Sequence, residues 1–329
     1  MKHNLVLSAV AAVLLCGAAM PGSAASDCKG FLPPNDLSIP VGSVDDKGIL
    51  QNQFNAVLDT VQKLYGPVIA AKGGTLQINR LWTDATVNAS AQHQGNRYIL
   101  NMYGGLARHA AITMDGFALV ACHELGHHLG GAPKIGGGDW ASNEGQADYY
   151  ANLKCLRKVF AEPGTAAFTR SVASDETARR SCDTLFSKPE DRALCFRNAM
   201  AGKSVAALFM ALRNETKEPG FDTPDPAVVG VMFDKHPGTQ CRMDTYLQGS
   251  LCTQPLSSVL SDTDPAAGTC TRSGGFKAGF RPLCWYKPSS ASELLPAVSD
   301  LAFTGAARGL SVPGPAFSVL QREDPWQGY

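Results

Sequence analysis

The sequence has little charge and no excess of either sign. Charged residues make up 18% of its 329 positions, 29 basic against 29 acidic, so there is no polybasic face for nucleic acid. It lacks a long apolar run. The one stretch of that kind, Leu5 to Ala19, falls short of the roughly 20 residues that a membrane helix needs. Lys2 precedes it, Pro21-Gly22 breaks it and Ser23-Ala24-Ala25 offers small residues for cleavage, so residues 1–25 read as an export signal. Leu15 is too large to precede a lipidated Cys16. Removing the signal takes Lys2 and no acid, leaving about 304 residues with no membrane span, destined for periplasm or medium. There is no Cys-x-x-Cys pair, which argues against a zinc cluster built from cysteines, and no internal repeat.

Against that plain background one stretch stands out, Ala121-Cys122-His123-Glu124-Leu125-Gly126-His127-His128-Leu129-Gly130. It contains His-Glu-x-x-His. On a helix this spacing sets His123 and His127 on one face, a turn apart, where both imidazoles can hold one zinc ion. Glu124 can then reach a water at the metal without being a ligand, as the general base of a metallohydrolase must. Residue frequencies alone put such a motif in about one chain in a hundred, so the neighbourhood has to decide. Thr113 or Asp115 can cap a helix over the motif, and Gly130-Gly131-Ala132-Pro133 reads as its stop. The next helix, with Ser142 as its expected cap, carries Glu144 and Asp148 at i and i+4. Folded back on the first, Glu144 can supply an oxygen ligand. Asp148 can accept the free N–H of a zinc-bound histidine. His128 points off the ligand face and reads as structural, and His93 and His109 belong to no constellation.

These residues resemble the gluzincin metallopeptidases, His-Glu-x-x-His followed by a helix with Glu-x-x-x-Asp, and within them the M48 family of Ste24/HtpX-like peptidases. Two further pieces are similar to that family. Val87-Asn88-Ala89-Ser90-Ala91 and Arg97 to Leu106 look like its Asn-Ala strand and the strand leading to the active helix. Lys235-His236-Pro237-Gly238-Thr239-Gln240-Cys241-Arg242 looks like its His-Pro element, with arginine six residues after the histidine. The resemblance covers about residues 55–160 and 230–250. It implies a zincin-like α+β fold, a small mixed sheet with active-site helices, and peptide hydrolysis with one Zn2+ on His123, His127 and Glu144. It also implies His236 as the donor to the oxyanion, Arg242 as a support for that loop or for substrate, and Asn88 and Ala89 at the substrate. On the residues alone, His236-Pro237 could be a simple turn and Arg242 could pair with Asp234 or Asp244.

The rest of the chain supplies a frame. Asp27 to Lys47 reads as an extended lead-in, and Ile49, Leu50, Phe54, Val57, Leu58, Val61 and Leu64 mark a helix that Gly66-Pro67 should end. Residues 76–106 give two or three strands, whose edge could pair with an extended peptide. Helices are expected near Ser174–Phe186, Pro189–Met200 (capped by Ser187) and Ser204–Thr216, and another opening with Pro237 after a His236 cap. Residues 26–250 form the expected peptidase domain. Residues 251–329 form a disulfide-stapled appendage and tail.

Nine cysteines follow the signal: Cys28, Cys122, Cys155, Cys182, Cys195, Cys241, Cys252, Cys270 and Cys284. Outside the cytoplasm they should pair, with one left over. Cys122 is the expected odd one. With Asp148 level with His123 in an antiparallel helix pair, Cys155 falls level with residue 116, too far to bond Cys122. The local pairs Cys182–Cys195, Cys241–Cys252 and Cys270–Cys284 are the expected remainder. The functional reading is an exported zinc endopeptidase acting on polypeptide. The competing ones are a zinc-bearing polypeptide binder with little turnover and a zinc hydrolase for a non-peptide bond.

Overall fold

The computed structural model describes residues 30–137, 139–167 and 174–290. The export signal, Cys28 and the tail from 291 onward lie outside the described residues.

Helix α1 (Gln51–Ala70) buries Phe54, Val57, Leu58, Val61, Tyr65 and Ile69 along one stripe. It does not stop at Gly66-Pro67 as expected. Pro67 forfeits one bond, to the carbonyl of Lys63, and both residues are exposed, so water can take that carbonyl and the helix runs one further turn. Strands β1 (Thr75–Leu81), β2 (Ala89–Gln94) and β3 (Arg97–Tyr103) follow. β3 lies in the middle, parallel to β1 and antiparallel to β2, which makes a small mixed sheet and an α+β fold. The lead-in does not stand away from this sheet. It runs antiparallel to the chain entering β2, with Phe31 N–H donating to Ala89 O (2.8 Å) and Ile39 N–H to Ala85 O (2.8 Å).

After a short turn of helix, α2 (Gly104–Arg108), comes α3 (Met114–Leu129), buried along nearly its whole length. Thr113 caps it by accepting the Gly116 N–H. Asp115 in its first turn takes a two-pronged bond from Arg197 (2.8 and 2.7 Å), a charge the helix N-terminus also favours. A second helix folds back against α3. Its parts are α4 (Glu144–Tyr150), a π-helical turn at Ala151–Cys155, and α5 (Leu156–Ala161). Asn143, not Ser142, caps α4, accepting the Gln146 N–H (2.9 Å). Gly126 makes the crossing close, because a Cβ there would lie 2.7 Å from the Ala147 carbonyl oxygen.

That crossing corrects the expectation for Cys122, which is bonded to Cys155 with their Cα atoms 5.5 Å apart. The helices are level at Gly126 and Ala147, so the His123–Asp148 contact is diagonal. The π-turn then winds an extra residue into the next turn and brings Cys155 back to Cys122. The bond spans 33 residues, for which chain entropy gives about 3–4 kcal/mol. Urea unfolding of the Cys122→Ala, Cys155→Ala double variant should show a loss of that size. An unchanged midpoint would mean that this bond contributes nothing.

The remaining helices are α6 (Glu176–Leu185), α7 (Pro189–Leu212) and α8 (Thr239–Leu251). The two helices expected over 189–216 are one, running through Gly202, where a Cβ would lie 2.6 Å from that of Tyr246 and the glycine lets α8 pack close. Lys188, not Ser187, stands at the N-cap of α7. α8 begins at Thr239 behind Gly238, so Pro237 is not its first residue and His236 is not its cap. Cys182 and Cys195 are paired as expected. Cys241 and Cys252 are not. They sit at opposite ends of α8, about 16 Å apart at 1.5 Å per residue, and bond instead to Cys284 and Cys270. Residues 252–290 are thereby tied to α8 and pack on α4. Trp285 is fully buried, its indole N–H donates to Thr245 Oγ1 (3.0 Å), and its ring lies where a side chain at Gly145 would have to go.

Candidate metal centre and active site

The crossing of α3 and α4 brings His123, His127 and Glu144 together, all buried. One ligand-type atom from each lies within 4.8 Å of the others. The hydrogen bonds behind the rings determine which nitrogen faces inward. His123 Nδ1 is 2.7 Å from Asp148 Oδ1, which also accepts from Arg242 Nη2 (2.7 Å). A carboxylate taking an arginine proton is an acceptor, so Nδ1 carries the hydrogen and Nε2 presents its lone pair. His127 Nδ1 donates in the same way to the Ser142 carbonyl (2.8 Å). Both Nε2 atoms therefore point their lone pairs at the Glu144 carboxylate, 3.3 Å away for His123 and 3.6 Å for His127.

Three inward acceptors with nothing to accept from are costly in a dry interior. His123 Nε2, His127 Nε2 and Glu144 Oε2 have no hydrogen-bond partner among the described residues, nor has either oxygen of Glu124. A divalent cation would answer that need, and two imidazoles with one carboxylate match the donor set of an open zinc site. In the chain without a cation the local charges differ between the two rings. Burial lowers the His127 pKa to about 4, leaving the neutral form that binds metal. Burial works against charge on His123 too, but Asp148 and Glu144 outweigh it and raise that group to about 9. Burial would also raise Glu144, yet His236, His123 and His127 hold it well below the usual carboxylate range. Glu124 is raised to about 8, mostly by burial, with His123 and Arg242 pulling the other way.

The neighbouring elements bring in the other residues. The His236 N–H at Nε2 points into the site, 2.8 Å from the Gly30 carbonyl oxygen and 3.6 Å from Glu144 Oε1. Arg242 is fully buried against the rings of Phe31 and Phe209, its guanidinium carbon 4.6 and 4.2 Å from their centroids. It does not bond Asp234 or Asp244. It donates to Asp148, to Tyr246 Oη (3.2 Å) and to the Phe31 carbonyl (3.1 Å), and Nη1 lies 3.8 Å from Glu144 Oε2. Asn88 and Ala89 stand at the start of β2 and bond the lead-in: Leu32 N–H donates to Asn88 Oδ1 (2.9 Å) and Asn88 Nδ2 to Leu32 O (3.3 Å).

Some residues of the site were not foreseen. Gly30, Phe31 and Leu32 fall in the stretch expected to be a plain extended lead-in, but all three are buried, and the Phe31 ring stands edge-on to His123 at 4.8 Å. The one clue was an apolar pair in a polar, proline-rich stretch. His128 does lie off the ligand face, its Nε2 3.3 Å from the Ile99 carbonyl and its ring stacked on Trp140, and His93 joins that cluster.

No family model matches the chain, and neither the curated proteins nor the solved structures include a match.

Proposed function

We propose that this chain is an exported zinc endopeptidase of gluzincin type, on the resemblance of its motifs to the M48 family and on one geometric observation. That observation is the convergence of two imidazole lone pairs and a carboxylate on one buried point beside an unpartnered glutamate. His123, His127 and Glu144 would hold the zinc. Asp148 and the Ser142 carbonyl lock the two rings in the tautomer that binds it. Zinc supplies Lewis acidity at the carbonyl to be attacked and at the attacking water.

The chain's own groups do the remaining work. Glu124 takes the water's proton and delivers it to the leaving amine. The Nε2–H of His236 donates to the substrate carbonyl oxygen as negative charge develops there. Arg242 fixes Asp148 and offers a donor to a second carbonyl. The edge of β2 holds an extended polypeptide by main-chain bonds. The exported setting fits the four disulfides, and among the described residues no helix is long and apolar enough to cross a membrane.

Metal analysis tests this directly. The purified chain should hold about one zinc, lose cleavage of an unfolded protein when a chelator strips it, and regain both when zinc is returned. A chain that takes up no zinc at micromolar concentration would end the proposal. The rival reading, a polypeptide binder with little turnover, draws support from the lead-in lying over the site. It predicts zinc uptake and peptide binding without cut products.

A further inference from the structure

The lead-in lies across the candidate site in the manner of a bound substrate. Its backbone runs antiparallel along the entry to β2, where Phe31 N–H bonds Ala89 O and Leu32 bonds Asn88 through both its N–H and its carbonyl. The Phe31 bond is main chain to main chain, and the two from Asn88 grip the backbone of Leu32, so all three hold the lead-in by its backbone as a docked peptide is held. The two carbonyls flanking the Phe31 nitrogen and α-carbon each have a positioned donor: Gly30 O takes the His236 Nε2–H (2.8 Å), and Phe31 O takes Arg242 Nη1 (3.1 Å). The His236 nitrogen that holds Gly30 O is 3.6 Å from Glu144. The peptide bond whose carbonyl shares the His236 nitrogen with Glu144 is the one joining Gly30 to Phe31.

Resting on the peptidase reading above, we propose that this chain is its own substrate and cuts the Gly30–Phe31 bond. Water supplies hydroxide to the Gly30 carbonyl carbon and a proton to the Phe31 nitrogen. The C–N bond breaks and the acid's proton passes to the released amine, leaving a carboxylate on Gly30 and an ammonium on Phe31. Two features of the chain fit this register. Gly30 has φ +98°, and a Cβ there would sit 2.9 Å from Asn88 Nδ2, so this placement needs glycine. The odd cysteine also lies on the departing side. Eight of the nine that follow the signal form four disulfides, and the ninth, Cys28, precedes Gly30 by two residues. Cutting leaves a chain whose cysteines are all paired.

The test uses the full chain exported and purified as wild type, Glu124→Gln and Gly30→Val, with intact mass and N-terminal sequencing of each. Wild type should begin at Phe31, whereas Glu124→Gln and Gly30→Val should keep residues upstream of Gly30. Amide exchange gives a second readout that needs no turnover: in Glu124→Gln, the Phe31 and Leu32 amides should be protected at least about tenfold more than in Glu124→Gln, Gly30→Val. A wild type that keeps its upstream residues yet cleaves added polypeptide overturns self-cleavage and leaves the peptidase reading standing. A wild type that cleaves neither itself nor added polypeptide removes both. If Glu124→Gln also begins at Phe31, another protease makes the cut and the proposal fails. Equal exchange in the two variants would overturn the docking on which it rests.

Discussion

On the peptidase reading proposed above, Glu124→Gln should lower the rate of peptide hydrolysis by about a thousandfold or more, while fold and metal content stay those of the wild type. The size follows from the role. A positioned general base contributes about 10²–10⁴, and the amide is isosteric with the acid but cannot take a proton. Glu124 is fully buried, both its oxygens lack a partner among the described residues, and it is not one of the converging ligand-type atoms. Metal uptake should therefore be the same in both proteins. Steady-state cleavage of an unfolded protein, with metal content measured on the same sample, separates base from ligand. Equal cleavage by mutant and wild type would remove the hydrolytic mechanism, and loss of zinc in the mutant would make Glu124 a ligand.

The largest expected effect on stability is that of Arg242→Met. The arginine has no exposed surface, and its positive charge faces Asp148 at 2.7 Å and Glu144 at 3.8 Å. Methionine keeps much of the packing against Phe31 and Phe209 but leaves buried carboxylates without their cation. Removing one partner of a buried pair costs about 3–5 kcal/mol, a large share of the 5–15 kcal/mol that holds a typical domain together. Urea unfolding should show a loss in that range, accompanied by weaker zinc binding as the His123–Asp148 bond loses its anchor. Arg242→Lys should recover only part of it, since an ammonium cannot bond Asp148, the Phe31 carbonyl and Tyr246 at the same time. A loss below about 1 kcal/mol for Arg242→Met would show that Asp148 has no need of the arginine.

The local arrangement of the candidate site was legible in the sequence because it is written at helical spacing. His123 and His127 four apart, and Glu144 and Asp148 four apart, each share a face whatever surrounds them. The α1 stripe, the Thr113 cap and the Cys182–Cys195 bond were legible for the same reason, being decided within a few turns. What misled was the use of local rules for distant partners. Setting His123 level with Asp148 ruled out a bond that Cys122 in fact makes, and nearness in sequence paired Cys241 with Cys252, which a helix holds apart.

The sequence by itself determined which ligand-type and proton-carrying side chains share a helix face, since spacing on a helix needs no other part of the chain. Only the tertiary structure decided where those helices meet, that Arg242 turns to Asp148 rather than to an acid nearby in sequence, and that Phe31 lies against His123. The reason is the close approach of α3 and α4 at Gly126 and Ala147, together with a π-turn that alters the register beyond it. Such contacts join residues far apart in the chain and depend on how tightly two surfaces pack, which no spacing rule along one strand or helix contains.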